Sequence, residues 1–190
     1  MSNHLLYVVG PSGVGKDSVL AWLSAHLRPD NLPLIRIARR SITRAADLGT
    51  EGHEALTAAS FEALASTNAF AMHWYANGLH YGIRRTELSG LDVGQWVMVN
   101  GSRAYIPRLR QNWPGVCVLH IEAPAAMVRE RLVARGREAT QEIEARVARS
   151  QQLSTASMPG DLHLSNAGSL EESGHQLLAL LQHTVQMRAY

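Results

Sequence analysis

Gly10-Pro11-Ser12-Gly13-Val14-Gly15-Lys16-Asp17-Ser18 is the stretch whose residue types and spacing could do chemistry. Gly10, Gly15 and Lys16 stand at the spacing Gly-x-x-x-x-Gly-Lys. In that pattern the glycines let the backbone curl around a β-phosphate, and the lysine reaches the β- and γ-phosphates. The apolar run Leu5 to Val9 precedes the loop, and the helical pattern Val19, Leu20, Trp22, Leu23 follows it. A glycine turn between a buried strand and a helix aims backbone N–H groups at one spot, where the helix's partial positive charge also converges. The chemistry is nucleotide phosphate binding, with Gly10 to Ser18 lining the site and Lys16 as the catalytic cation. An ordinary strand-to-helix turn is the bland alternative. Asp17 departs from the pattern, because Ser or Thr is usual at that position.

A second set of groups surrounds the segment from Arg39 to Arg85. Arg36, Arg39, Arg40 and Arg44 lie on one side of it, and Tyr81 lies within it. Arginines grip phosphate bidentately and a tyrosine hydroxyl adds a further hydrogen bond, so a second phosphate site is expected there. The competing reading is a solvated basic edge. Trp96 to Asn100 reads as a buried strand ending in Asn100-Gly101-Ser102-Arg103. Ligands of open α/β sheets bind at carboxyl ends of strands, so Asn100, Ser102 and Arg103 are expected to face the active cleft as substrate-binding candidates. A carboxylate at such a strand end often organises magnesium, and here Asn100 replaces it. The carboxylate has in effect moved to Asp17, which is expected to act through Mg²⁺ directly or through its water, with Ser18 as the alternative ligand. The simpler alternative is that Asp17 caps the first helix.

Farther along, Arg129, Arg131, Arg135 and Arg137 surround Gly136, and a helical stretch from about Thr140 carries Arg146 and Arg149. A glycine between two arginine-rich helices suits a lid that brings guanidinium groups onto a transferring phosphoryl group. Arg135 and Arg146 are the candidates for that role. Other arginines pair at helical spacing with Glu130, Glu138, Glu142 and Glu144. Asn166, at the end of the last strand, is placed on the nucleotide side.

These groups need a scaffold. Strand-like runs at Leu5 to Val9, Leu34 to Ala38, Trp96 to Asn100, Val116 to Ile121 and Leu162 to Leu164 alternate with helical patterns. The alternation predicts an α/β protein with a parallel sheet flanked by helices. The helices are expected from Lys16 to about Leu27, from Ser102 to about Gln111 with Pro107 as a cap or kink, from Ala125 to Ala134, and from Leu170 to about Met187. Between the second and third strands, a short helix opening at Thr57 and a hairpin about Asn77-Gly78 form a small α+β insertion, because Asn-Gly favours the two-residue turn.

With 190 residues, a single domain is expected. Its core covers about 1–38, 95–125 and 153–190, the insertion about 39–85 and the lid about 130–150. A formal charge of +2 and no long basic block argue against a nucleic-acid partner. No stretch approaches a membrane span, and the N-terminal apolar run is too short for a signal sequence. Cys117, the sole cysteine, reads as a core thiol in a cytoplasmic protein. The 9 histidines are scattered without ligand spacing, which argues against a zinc site. Met72 and Trp74 read as packing residues.

Taken together, the loop, Thr43-Arg44, the Asn77 to Gly82 hairpin, the Arg-Gly lid and Ser165-Asn166 resemble the guanylate kinase fold over the whole chain. The resemblance implies that Arg40, Thr43, Arg44 and Tyr81 lie at the acceptor phosphate and that Arg135 and Arg146 lie in the lid. Three positions depart from it: Asp47 replaces an arginine, Glu54 a tyrosine, and Met72 the acidic residue that reads guanine. The chain is more closely similar to the ribose 1,5-bisphosphate phosphokinases. Gly-Lys-Asp-Ser, Ile42-Thr43-Arg44, Ala76-Asn77-Gly78-Leu79 with Tyr81-Gly82, Val99 to Ala104 and Arg135-Gly136-Arg137-Glu138 carry that resemblance. It implies ATP as donor with Mg²⁺, ribose 1,5-bisphosphate as acceptor and a place in phosphonate catabolism. A nucleoside monophosphate kinase and a non-catalytic interaction module of the same fold are the competing readings.

Overall fold

The computed structural model describes residues 4–28, 35–44, 52–136, 141, 143–145, 147–148 and 157–188. In chain order the elements are β1 (Leu5–Val9), α1 (Lys16–His26), β2 (Ile35–Ile37), β3 (Arg40–Ile42), β4 (Glu54–Ala55) and α2 (Ala58–Ser66). There follow β5 (Phe70–Ala76), β6 (Leu79–Arg84), a 3₁₀ stretch (Arg85–Val93), β7 (Trp96–Asn100), α3 (Ile106–Asn112), β8 (Cys117–Glu122), α4 (Ala125–Arg135), β9 (Leu162–Ser165) and α5 (Leu170–Arg188). One parallel sheet has the order β2-β7-β1-β8-β9, and a smaller sheet has the order β4-β3-β6-β5. By contacts the chain divides into two compact units, Met1–Leu6 with Leu34–Val116 and Tyr7–Pro33 with Cys117–Tyr190.

In the first unit, β5 and β6 pair antiparallel through Asn77 (φ 50°) and Gly78 (φ 77°), the positive-φ pair that a two-residue hairpin demands. Thr57 caps α2 by accepting from Ser60 N at 3.1 Å, and Phe61 of that helix stacks on Phe70 with ring centroids 4.6 Å apart. Burying that pair gives the small sheet a covered face. Pro107 lies in the first turn of α3, behind a 3₁₀ turn at Arg103–Tyr105. Its missing N–H is harmless there, so no kink arises.

Glu54 shows how the small sheet holds its edge strand. Its carboxylate accepts from Arg84 Nη2 at 2.6 Å, Arg84 Nε at 2.7 Å and Ser41 Oγ at 2.5 Å. The hydrogen bond from Arg84 is the main cause holding the carboxyl below its ordinary value, against burial, with Ser41 assisting. Folding therefore favours the ionised form, so the contribution is complete above pH 4.5 and is lost as pH falls through the lowered value. Glu54→Gln should cost about 2 kcal/mol at neutral pH. In urea denaturation, the gap between variant and parent should shrink on acidification below 4.5.

In the second unit, β8 and β9 pair in parallel from Leu119↔Leu162 to Glu122↔Ser165. Helices α1 and α5 pack closely at Gly174, where an added Cβ would lie 2.2 Å from the Trp22 ring. Trp22 Nε1 donates to Glu171 Oε2 at 2.8 Å across the same seam. Cys117 is a buried thiol in β8. Among the described residues, no helix is long and apolar enough to cross a membrane.

Candidate active site

The loop between β1 and α1 has the form its glycines require. Gly15 is the N-cap of α1 at φ 94°, a left-handed conformation, and offers no side chain to cap the helix. The N–H groups of the first turn are thereby presented to an incoming anion. Lys16 is half-buried, and its Nζ donates to the Gly10 carbonyl at 2.8 Å and to the Pro11 carbonyl at 3.1 Å. The ammonium is thus folded over its own loop, poised where phosphate oxygens would displace the carbonyls. Ser12 and Gly13 complete the half-buried turn, while Val14 is fully buried beneath it.

Two side chains from elsewhere in this unit fix the loop. Asn166, just after β9, donates from Nδ2 to the Val14 carbonyl at 2.6 Å. Its Oδ1 accepts from Ser173 Oγ of α5 at 2.7 Å, and its backbone N–H donates to Glu122 O at 2.7 Å. Arg131 of α4 also donates to the Val14 carbonyl, at 3.2 Å. Asn166 was expected among the nucleotide ligands, and the geometry gives it a bracing role in the loop. Arg131 and Ser173 belong to the same brace but have no motif that would have singled them out.

Asp17 and Ser18 are exposed in the first turn of α1. Asp17 stands after the N-cap, so it is not the cap itself, although its charge suits the helix N-terminus. Among the described residues, no group of three or more His, Cys, Asp or Glu could hold a metal. Mg²⁺ takes one or two protein oxygens and completes its shell with phosphate and water. The carboxylate of Asp17 and the hydroxyl of Ser18 are the hard oxygen donors it would use.

Arg129 pairs with Glu144 on the surface, 15 residues along the chain and so not at the helical spacing expected for these charges. Gly136 ends α4 in the left-handed region, at φ 63°. Arg135 is the last residue of α4, but its side chain, Arg146 and most of the expected lid lie outside the described residues.

In the first unit, the acceptor candidates gather on β3, β6 and the end of β7. Arg40 lies opposite Ile83 and Ile42 opposite Tyr81, which puts Arg40 and Tyr81 on one face of the small sheet. Thr43 N donates to His80 O at 3.1 Å and its Oγ1 accepts from His80 N at 2.9 Å, so Thr43 extends the strand pairing that brings the half-buried Arg44 alongside. Arg36 and Arg39 are different. Arg36 pairs with Glu87 at 2.7 Å, and Arg39 donates to the Gly52 and His53 carbonyls at 3.2 and 3.1 Å. Arg36 and Arg39 thus serve the fold.

Asn100 is buried at the end of β7, and Ser102 and Arg103 follow in the half-buried turn. Burial pushes the Arg103 guanidinium below its ordinary value, a cost that a bound anion would relieve. Met72 is fully buried in β5, so that position packs the sheet. Glu54, likewise, is engaged by Arg84 and Ser41. Asp47 lies outside the described residues.

A braced phosphate loop after the first strand of a parallel sheet defines the class: a P-loop kinase of the guanylate kinase-like fold. A solved guanylate kinase from Anaplasma phagocytophilum superposes with a TM-score of 0.65 at 18% identity, covering 96% of this chain and 86% of that one. No protein-family model matches the chain. The ribose 1,5-bisphosphate phosphokinase PhnN of Burkholderia pseudomallei is 41% identical over 181 residues, covering 95% of this chain and 96% of that protein. A protein of the same name from Janthinobacterium sp. (strain Marseille) is 42% identical over 181 residues, and this chain spans 39% of its length. The chain belongs to the ribose 1,5-bisphosphate phosphokinase family.

Proposed function

We propose that the protein transfers the γ-phosphoryl group of ATP to the 1-phosphate of ribose 1,5-bisphosphate, giving 5-phospho-α-D-ribose 1-diphosphate and ADP. The observation that carries this reading is the 41% identity to a kinase so named along nearly the full length of both chains. An acceptor phosphate oxygen attacks the γ-phosphorus as the bond to the β,γ-bridging oxygen breaks, and ADP takes that electron pair. The attacking oxygen is already ionised at neutral pH, so alignment and charge neutralisation suffice without a strong base.

In this reading the loop N–H groups and Lys16 hold the ATP phosphates. Arg40, Thr43, Arg44 and Tyr81 orient the acceptor phosphate, while Asn100, Ser102 and Arg103 take the sugar hydroxyls or the second phosphate. Arg135 and Arg146 close the lid and exclude water, without which ATP would be hydrolysed. Asp17 and Ser18 would hold Mg²⁺, which when bound neutralises charge on the β- and γ-oxygens. Residues 1–190 act as one kinase domain. The buried Cys117 thiol suits a reducing cytoplasm.

The buried Met72 favours a sugar over a purine nucleotide as acceptor. Phosphorus NMR of reactions containing ATP and Mg²⁺ with either ribose 1,5-bisphosphate or GMP tests this. A new diphosphate signal with the sugar alone is the expected result. Turnover of GMP alone would make the protein a nucleoside monophosphate kinase, and transfer to neither would leave an interaction module.

A further inference from the structure

Trp74 is half-buried on β5, and it is not core like its neighbour Met72. It is the register partner of Tyr81 on β6, and the two rings lie 5.7 Å apart with only 3° between their planes. It also meets Tyr105, again at 5.7 Å but tilted by 41°. Tyr105 is 7% exposed and closes the short 3₁₀ turn that begins at Arg103. The guanidinium carbon of Arg108 lies 6.0 Å from the centre of the Tyr105 ring. The stack Tyr81, Trp74, Tyr105, Arg108 therefore ties the hairpin of the small sheet to the turn after β7, which belongs to the other sheet.

Both ends of this stack carry acceptor groups in the reading above, on which this inference rests. Tyr81 stands at one end, and at the other are Ser102 and Arg103 with Asn100 just before them. A tyrosine side chain turns about two torsions, and a parallel indole restricts that turning. An indole is also a rigid spacer, so it fixes the separation of two groups carried by elements that share no strand pairing. We infer that Trp74 is a positioning residue that sets the spacing between the Tyr81 grip and the Asn100–Arg103 grip, so that the site selects an acceptor bearing two phosphates. Loss of the spacer frees both grips to move, and misplacement by about 1 Å can cost up to about 100-fold.

The test compares Trp74→Ala, Trp74→Leu and Trp74→Phe in the full chain. It measures kcat and KM for ribose 1,5-bisphosphate and for ATP, and inhibition by ribose 5-phosphate, which can engage only one grip. Trp74→Ala should raise the KM of the bisphosphate by about 10-fold and leave the KM of ATP within about 2-fold. Inhibition by ribose 5-phosphate should change less, narrowing the preference for two phosphates. Trp74→Phe, which keeps a flat ring, should recover most of the loss, whereas Trp74→Leu should not. Trp74→Leu keeps apolar bulk, so it provides the same comparison if the alanine protein does not fold. A variant in which both substrates' KM values move together, or only the melting temperature falls, would overturn the inference. Tyr81→Phe separates the two levels. If it raises the acceptor KM while the Trp74 variants do not, the spacer role alone fails; if it leaves that KM unchanged, the acceptor assignment beneath it fails.

Discussion

Lys16→Met is expected to lower turnover by about 1,000-fold, the scale of losing one preorganised cation or donor at developing charge, and to leave the melting temperature within about 2 °C of the parent. The separation of the two effects follows from where Lys16 sits. It opens α1, directly after the Gly15 N-cap, where methionine is nearly as good a helix former. Its Nζ donates to the Gly10 and Pro11 carbonyls of its own loop, so these two bonds stay within the turn. Those half-buried carbonyls can turn to water when the ammonium is gone. A transferring phosphoryl group has no such substitute, because charge that builds on the departing β-phosphate must be met by a fixed cation. Phosphorus NMR of ATP with ribose 1,5-bisphosphate, alongside a thermal melt, reads both quantities. Turnover within about 10-fold of the parent would remove Lys16 from the catalytic role.

Lys16 was legible because everything it needs is contiguous. A strand, a glycine turn and a helix follow one another between Leu5 and His26, and local spacing is enough to recognise them. The hairpin was legible for the same reason, since Asn77 and Gly78 satisfy a backbone requirement that few other pairs meet. The brace on the loop was not. Val14 and Arg131 are 117 residues apart and Val14 and Asn166 are 152 apart, so only the tertiary fold puts them together. Charge was equally mute about partners. Nothing in the sequence says that Arg36 pairs with Glu87 or that Arg39 donates to the carbonyls of Gly52 and His53. Met72 and Trp74 share a strand and a face by spacing, but one is core and the other is half-buried against Tyr81 and Tyr105. A period-2 pattern assigns a face and says nothing of where along it the core ends.

The brace makes Gly15→Ala the substitution with the largest expected structural consequence. Gly15 is held at φ 94°, where any L side chain is strained by about 1–3 kcal/mol. A Cβ there would also lie 2.5 Å from Asn166 Nδ2, the atom that donates to the Val14 carbonyl. Asn166 is buried and held on its other side by Ser173, so it can move aside only by giving up hydrogen bonds in a dry site. Leaving such groups unsatisfied costs about 1–3 kcal/mol more. The expected loss is therefore about 2–6 kcal/mol in urea denaturation, with the KM for ATP raised by about 100-fold because the N–H groups no longer converge. Gly78→Ala supplies the control. Gly78 has a comparable φ of 77°, but an added Cβ would meet nothing within 4 Å, so only the backbone strain remains. That variant should lose about 1 kcal/mol and keep its KM for ATP. Equal losses for the two would mean that Asn166 yields freely, and the loop would then owe its shape to its own glycines and not to the strand and helices that grip it.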